Sequence, residues 1–142
     1  MIKSLIYDLE TGGLDYKSNP ILQFTGTFLE DEKVVDRINI YLKPDSDQIV
    51  EQAALAVNKI DPEKADYTQI QAYKYILSKL DKHCCKYNKK DKMFLVGYNN
   101  VAFDDFFFRE LFKRNENNYF YSYFWGSIDL RVLANSYFSN YR

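Results

Sequence analysis

Asp8-Leu9-Glu10 places two carboxylates one residue apart. In an extended strand, residues two apart share a face, so Asp8 and Glu10 project side by side while Tyr7 and Leu9 point the other way. Ionised carboxylates held together repel, which lifts a pKa unless a cation lies between them. Thr11-Gly12-Gly13 follows, a tight turn whose backbone N–H groups can approach a ligand closely because glycine has no Cβ. Hard oxygen donors of this kind suit Mg²⁺ or Mn²⁺. An acidic strand end that merely faces water has the same signature. A second cluster is Asn99-Asn100-Val101-Ala102-Phe103-Asp104. Asp104 falls in the first turn of an expected helix, where the dipole favours an ionised carboxylate. Asn100, four residues earlier, adds hydrogen bonding without charge, and Phe103 is large enough to stack or to wall a site. Taken alone, Asp104 and Asp105 read better as ordinary helix-start acids.

The elements that must position these groups follow from the apolar pattern. Lys3–Glu10, Pro20–Leu29 and Val34–Leu42 read as three strands, the last stopped by Lys43-Pro44-Asp45. The short polar turn Glu30–Lys33 between the second and third makes the group an antiparallel meander. A short helix is expected around Glu51–Val57, then a turn at Asp61-Pro62. Ile70, Tyr73, Ile76, Leu77, Leu80, Cys84 and Tyr87 recur at helical spacing, and Thr68 with Gln71 forms a capping box at the start of that helix. Met93–Tyr98 reads as a short buried strand, Phe103–Lys113 as a helix, and Tyr119–Ile128 as an aromatic-rich segment containing a fifth strand. Asp129 is the expected N-cap of a last helix, Leu130–Phe138. The sum is an α/β domain, a mixed sheet with helices packed on it.

Composition bounds the class. The 142 residues are 46% hydrophobic and 27% charged, the balance of one folded domain with its own core. No apolar run approaches a membrane span, and the N-terminus turns acidic too early for a signal peptide; a cytoplasmic protein without a membrane partner is expected. The net charge of −1 hides an asymmetry. Met1–Asp66 carries 7 Lys+Arg against 13 Asp+Glu, a net of −6, and Tyr67–Arg142 carries 12 against 7, a net of +5. His83-Cys84-Cys85 is a poor chelate, since adjacent helical residues diverge, so two reduced thiols are expected there. Lys79–Lys92 holds six lysines and two aspartates and reads as a solvated helix end with some capacity for phosphate. The aromatic stretch Tyr119–Trp125 is expected to be buried in a core or interface.

Considered together, the two acidic clusters carry a resemblance. A strand bearing D-x-E-T-G-G, then a helix, a strand and N-x-x-F-D at a helix start resembles the DnaQ-like (DEDD) 3′→5′ exonucleases. Tyr41-Leu42-Lys43-Pro44, Ala54–Ile60 and Ile128-Asp129-Leu130-Arg131 through Ala134 are similar to further family segments in the same order, so the resemblance covers nearly the whole chain. It implies an RNase H-like fold with a five-stranded sheet, three antiparallel strands followed by two parallel ones. It implies that Asp8, Glu10 and Asp104 are catalytic and hold two divalent cations, Mg²⁺ or Mn²⁺. It also implies that Thr11 and Gly12 bind the terminal 3′-hydroxyl, with Val57, Asn58, Asn100 and Phe103 contacting the end nucleotide. Asp129 is not a metal ligand in this reading; it opens a helix.

The family carries a third motif, His or Tyr followed five residues later by Asp, on a helix beyond the one that Asp129 starts. It supplies the last metal ligand and, from the His or Tyr, the general base. The 142 residues do not contain it. The expectation is a single exonuclease-like domain over residues 1–142 that is C-terminally incomplete, lacking its last helix or helices, with weak metal binding and little turnover. Its partner is the 3′ end of single-stranded DNA or RNA, with a polymerase or repair protein as a further partner and nucleoside 5′-monophosphates as product. The rival expectation is a catalytically inactive nucleic-acid-binding or scaffold domain on the same fold.

Overall fold

The computed structural model describes residues 1–140. Strand β1 (Lys3–Thr11) lies between β2 (Ile21–Glu30) and β4 (Met93–Gly97), with β3 (Lys33–Tyr41) and β5 (Phe124–Asp129) at the two edges. The order is β3-β2-β1-β4-β5. The first three strands are antiparallel, and β4 and β5 run parallel to β1, which is the expected RNase H-like sheet. The helices are α1 (Gln52–Asn58), α2 (Gln69–His83), α3 (Asp104–Arg114), the single turn α4 (Phe120–Tyr123) and α5 (Leu130–Ser139).

Alternation along β1 divides the sheet. Leu5, Tyr7 and Leu9 are buried, and they join Phe24 and Phe28 of β2 under Ile76 and Leu80 of α2 and Phe108 and Phe112 of α3. The aromatic rings interlock edge to face. Phe108 alone meets Phe24, Phe120 and Phe124 at centroid separations of 5.1, 5.2 and 5.8 Å, a geometry that adds quadrupole attraction to area burial. The opposite face of β1 carries Ile6, Asp8 and Glu10, none of them buried.

α2 starts as its sequence dictates: the Thr68 hydroxyl accepts from the Gln71 backbone, and the Gln71 side chain accepts from that of Thr68. Its buried stripe differs from the apolar pattern at both ends: the helix stops at His83, so Cys84 is its extended C-cap and Tyr87 is exposed beyond it. Ile70 faces solvent and Gln69 is buried, because the Gln69 amide donates to the carbonyls of Ile21 and Lys43 and so joins the helix start to the sheet. The aromatic stretch also divides: Phe120, Tyr123 and Phe124 are buried, whereas Tyr119, Tyr121 and Trp125 are exposed. α5 contributes no buried residue. Cys84 is buried, its thiol donating to the Asp91 carbonyl at 2.6 Å and pushed up to about 11 chiefly by burial, while Cys85 is exposed. Among the described residues no helix is long and apolar enough to cross a membrane.

Candidate active site

Parallel pairing brings the acidic clusters together. Leu5 and Ile6 of β1 lie opposite Leu95 and Val96 of β4, so the chain leaving β4 emerges beside the acidic half of β1. The turn that follows is tight. A Cβ on Gly97 would come within 2.8 Å of the Asn100 Cβ, and Asn99 adopts a left-handed φ of 58°, a conformation Asn tolerates better than most residues. The turn delivers Asp104 to the α3 start, where one of its carboxylate oxygens accepts from the Leu9 N–H at 3.3 Å.

The electrostatics record the convergence. Asp104 is almost fully buried, and burial, followed by the charge of Asp8, pushes its carboxyl up to about 7. Glu10 is raised by its own partial burial and by Asp8. Asp104 and Glu10 are therefore made reluctant to ionise by low dielectric and like charge, the condition a hard divalent cation relieves. By the chemistry of its donors, this set of three carboxylates fits such a cation. The fit is one of donor chemistry alone: among the described residues, no group of three His, Cys, Asp or Glu side chains is placed to hold a metal ion.

Asp105, adjacent to Asp104, does something different. It accepts from the Tyr7 hydroxyl, from the Asn100 amide at 3.2 Å and from the Ser127 hydroxyl at 2.6 Å. One carboxylate thus ties β1, the β4–α3 turn and β5 together behind the site. Tyr7 is raised far above the usual phenol range, by burial first and then by Asp105, so it stays a donor.

Beside Glu10 opens a pocket of about 290 Å³. Leu9, Glu10 and Thr11 form its β1 wall, Ala54, Val57 and Asn58 of α1 face them, and Phe103 closes it. Asn58 joins two walls: its amide donates to the Thr11 carbonyl at 3.1 Å and accepts from the Ile60 N–H at 3.0 Å. The Phe103 ring rests on Phe107, centroids 4.9 Å apart. α1 is held over the strand end because the Glu51 N–H donates to the Gly12 carbonyl at 2.7 Å and the buried Asn19 amide donates to the Ile49 carbonyl at 2.7 Å. Gly13 is needed for the close approach of Asn19, whose side chain would lie 2.4 Å from a Cβ there.

Of the residues expected at the site, Asp8, Glu10, Asp104, Thr11, Val57, Asn58 and Phe103 gather at this end of the sheet. Gly12 and Asn100 lie behind the pocket wall. The Gly12 N–H already donates to the Pro20 carbonyl at 2.8 Å, and Asn100 is fully buried against Asp105. Leu14 and Glu51 also line the pocket; Leu14 sits in the loop after β1 and Glu51 is the N-cap of α1, and neither position carries a pattern that marks a pocket wall. Asp129 occupies a capping position, its Oδ1 accepting from the Arg131 and Asn99 N–H groups at 3.0 and 2.9 Å. His83, the chain's one histidine, stacks on Phe28 and lies 2.8 Å from Asp36. Its carbonyl accepts from Lys3, at the other end of β1 from Glu10.

Residues 5–142 match the family model named RNase T and described as exonuclease. The chain belongs to this exonuclease family. The DnaQ-like resemblance and the RNase H-like sheet are thereby shown together. Among solved structures, the exonuclease domain is similar to E. coli Exonuclease I in complex with a dA16 oligonucleotide, with TM-score 0.82 and 23% identity over 98% of this chain and 30% of that one. The zinc-bound form of the E. coli Exonuclease I–single-stranded DNA complex gives TM-score 0.81 and 24% identity over 97% and 30%. A product-bound structure of exonuclease I gives 0.80 and 23% over 97% and 32%. These likenesses establish the fold. The chain spans less than a third of the length of those proteins. No curated protein sequence matches it significantly.

Proposed function

We propose that the domain is a metal-dependent 3′→5′ exonuclease of the DEDD type, acting on single-stranded DNA or RNA and releasing nucleoside 5′-monophosphates. The observation that carries this reading is the convergence of Asp8, Glu10 and Asp104 beside a pocket with room for one terminal nucleotide. Asp8, Glu10 and Asp104 would hold two divalent cations, Mg²⁺ or Mn²⁺. When bound, such a pair activates water and stabilises the leaving 3′-oxygen of a phosphodiester. The chain's own residues position the strand end. Phe103 and Val57 offer apolar surface to the terminal base, which suits any base because every base has a π-face. Thr11, braced by Asn58, presents the polar wall toward the sugar. Gly12 and Asn100 act from behind, Gly12 by fixing the turn and Asn100 by holding Asp105. The solved structures of E. coli Exonuclease I with single-stranded oligonucleotides favour DNA as the first substrate to try.

The test is release of label from 3′-labelled single-stranded DNA and RNA with Mg²⁺ or Mn²⁺. Because the third motif is absent from the 142 residues, the expected result is weak monophosphate release that chelator abolishes and that Asp8→Ala and Asp104→Ala each bring to background, each removing a main electrostatic stabiliser. Hydrolysis that survives either substitution overturns the reading. Binding without hydrolysis in the presence of both metals makes the domain a nucleic-acid-binding module instead.

A further inference from the structure

Two sequence features lie outside the carboxylate site, the lysine run and the exposed half of the aromatic stretch, and the fold brings them into contact. The Lys86 ammonium lies 5.4 Å from the Tyr87 ring centroid and 4.9 Å from that of Tyr119. The Lys92 ammonium lies 5.4 Å from the Trp125 ring and donates to the Tyr121 carbonyl at 3.0 Å. Trp125 is 51% and Tyr121 63% exposed. Residues 85–92 carry four lysines against Asp91, and Asp91 is already paired with Lys3 at 2.7 Å. The result is a face of alternating rings and ammonium groups with a net positive charge.

A groove of about 400 Å³ adjoins this face at Tyr121 and reaches Tyr16, in the loop that follows β1. Phe106, Arg109 and Lys113 line it from α3, where a spacing of three and four residues puts them on one side of the helix, and Tyr16 and Tyr121 line it from either end. Tyr16 stacks on Phe106 at 5.2 Å, and the Arg109 guanidinium sits 4.7 Å over the Phe106 ring. Beneath the groove's Tyr16 side the aromatic contacts continue through the buried Phe107 to Phe103, in the wall of the pocket beside Glu10. Glu110 is the one carboxylate among the groove's lining residues, and Arg109 and Lys113 outweigh it. The α3 residues that line the groove run from Phe106 to Lys113, about 10 Å along the helix axis.

We propose that the α3 groove and the lysine–aromatic face form a track for the single strand upstream of the 3′ end. This rests on the exonuclease reading for its direction. Arg109, Lys113, Lys86 and Lys92 take phosphates, while Phe106, Tyr121 and Trp125 offer stacking surface to successive bases. A positive groove interleaved with exposed rings is the arrangement that holds single strands without sequence preference, and a polyanion is the occupant whose charge complements it.

Trp125 is the chain's only tryptophan, so its emission reports on the far end of the track alone. The experiment titrates the full chain, in chelator to keep strands intact, with thymidine oligonucleotides of 16 and 3 nucleotides while following both oligonucleotide anisotropy and Trp125 emission. The 16-mer is expected to change the emission and the 3-mer to leave it unchanged. The Lys86→Gln/Lys92→Gln variant, checked by its thermal melt for an unchanged fold, is expected to bind the 16-mer about 5- to 10-fold more weakly. Its log affinity against log salt is expected to be shallower by about 1.4, two phosphate contacts' worth on a single strand. Tight 16-mer binding that leaves the emission or the salt slope unmoved overturns the track, as does absence of 16-mer binding; either result leaves the face to a protein partner. Metal-dependent hydrolysis of the 3-mer separates the two readings. If it fails while Trp125 responds, the exonuclease reading falls and the strand-binding surface stands. If it proceeds equally in wild type and variant while Trp125 is silent, only the track is lost.

Discussion

The Asp104 carboxylate accepts from the backbone N–H of Leu9, the residue that separates Asp8 from Glu10, at 3.3 Å. The second acidic cluster is thus anchored to the middle of the first by a group that cannot be mutated away. One strand's alternation and one parallel pairing suffice to bring three acids from two distant segments to the same end of the sheet.

That anchoring has a pH signature in the metal-free protein. Burial and then Asp8 raise the Asp104 carboxyl to about 7, above the unfolded value of about 3.9. The native chain then holds more protons than the unfolded chain between these values, so stability falls as pH rises through that window and levels off above it. Glu10, raised for the same reasons, acts in the same direction. Thermal melts in chelator from pH 4.5 to 8 should show Tm declining with pH, and Asp104→Asn should flatten the decline and raise Tm at pH 8. Added Mn²⁺, which competes with the proton, should bind more tightly as pH rises toward 7. A Tm that instead climbs over this range excludes the arrangement.

Asp104 and Asp105 are neighbours in sequence with opposite expected phenotypes. Asp104→Ala removes a repelled acid but also the weak acceptor of one N–H, that of Leu9, so activity and metal affinity should collapse while stability at neutral pH changes less than in Asp105→Ala. Asp105→Ala leaves the Tyr7, Asn100 and Ser127 donors without their acceptor. Each orphaned buried group costs about 1–3 kcal/mol, so unfolding in urea should shift to a clearly lower midpoint. Equal destabilisation by the two substitutions contradicts this division of labour.

The sequence makes one of these aspartates legible and not the other, for physical reasons. The placement of Asp8, Glu10 and Asp104 was readable because strand alternation and a helix start are local, and local rules place side chains on faces. The five strands and the Thr68–Gln71 box were readable on the same grounds. The network around Asp105 was not, since its partners Tyr7 and Ser127 lie 98 and 22 residues away, and only the sheet order joins them. Gln69 was hidden because a buried amide looks polar until its two carbonyl acceptors are known. The split of Tyr119–Trp125 into buried and exposed rings depends on the single turn of α4, too short to leave a period in the sequence.

The pocket wall should separate binding from chemistry. Phe103 faces the expected terminal nucleotide and rests on Phe107, and base stacking on an aromatic ring contributes about 1–3 kcal/mol. Phe103→Ala should therefore raise KM for single-stranded oligonucleotides by about 10-fold or more, and Phe103→Leu by less. Metal affinity, measured by calorimetry without nucleic acid, should not move. A loss of metal affinity would mean that the ring shapes the carboxylate site instead of the substrate pocket.

Asp129 tests the reading from the opposite side, because by position it looks like a fourth ligand. It pairs in register with Gly97 at the acidic end of the sheet, yet its Oδ1 is already taken by the Arg131 and Asn99 N–H groups, the first an N-cap of α5 and the second a tie to the β4–α3 turn. Loss of a capping side chain costs about 1 kcal/mol. Asp129→Ala should lower stability by about that amount or somewhat more, whereas Asp129→Asn, which keeps an acceptor oxygen, should restore most of it. Both variants should bind Mn²⁺ with wild-type affinity. A metal affinity lost in Asp129→Asn, with stability intact, would make Asp129 a ligand and would require the carboxylate set to be redrawn around it.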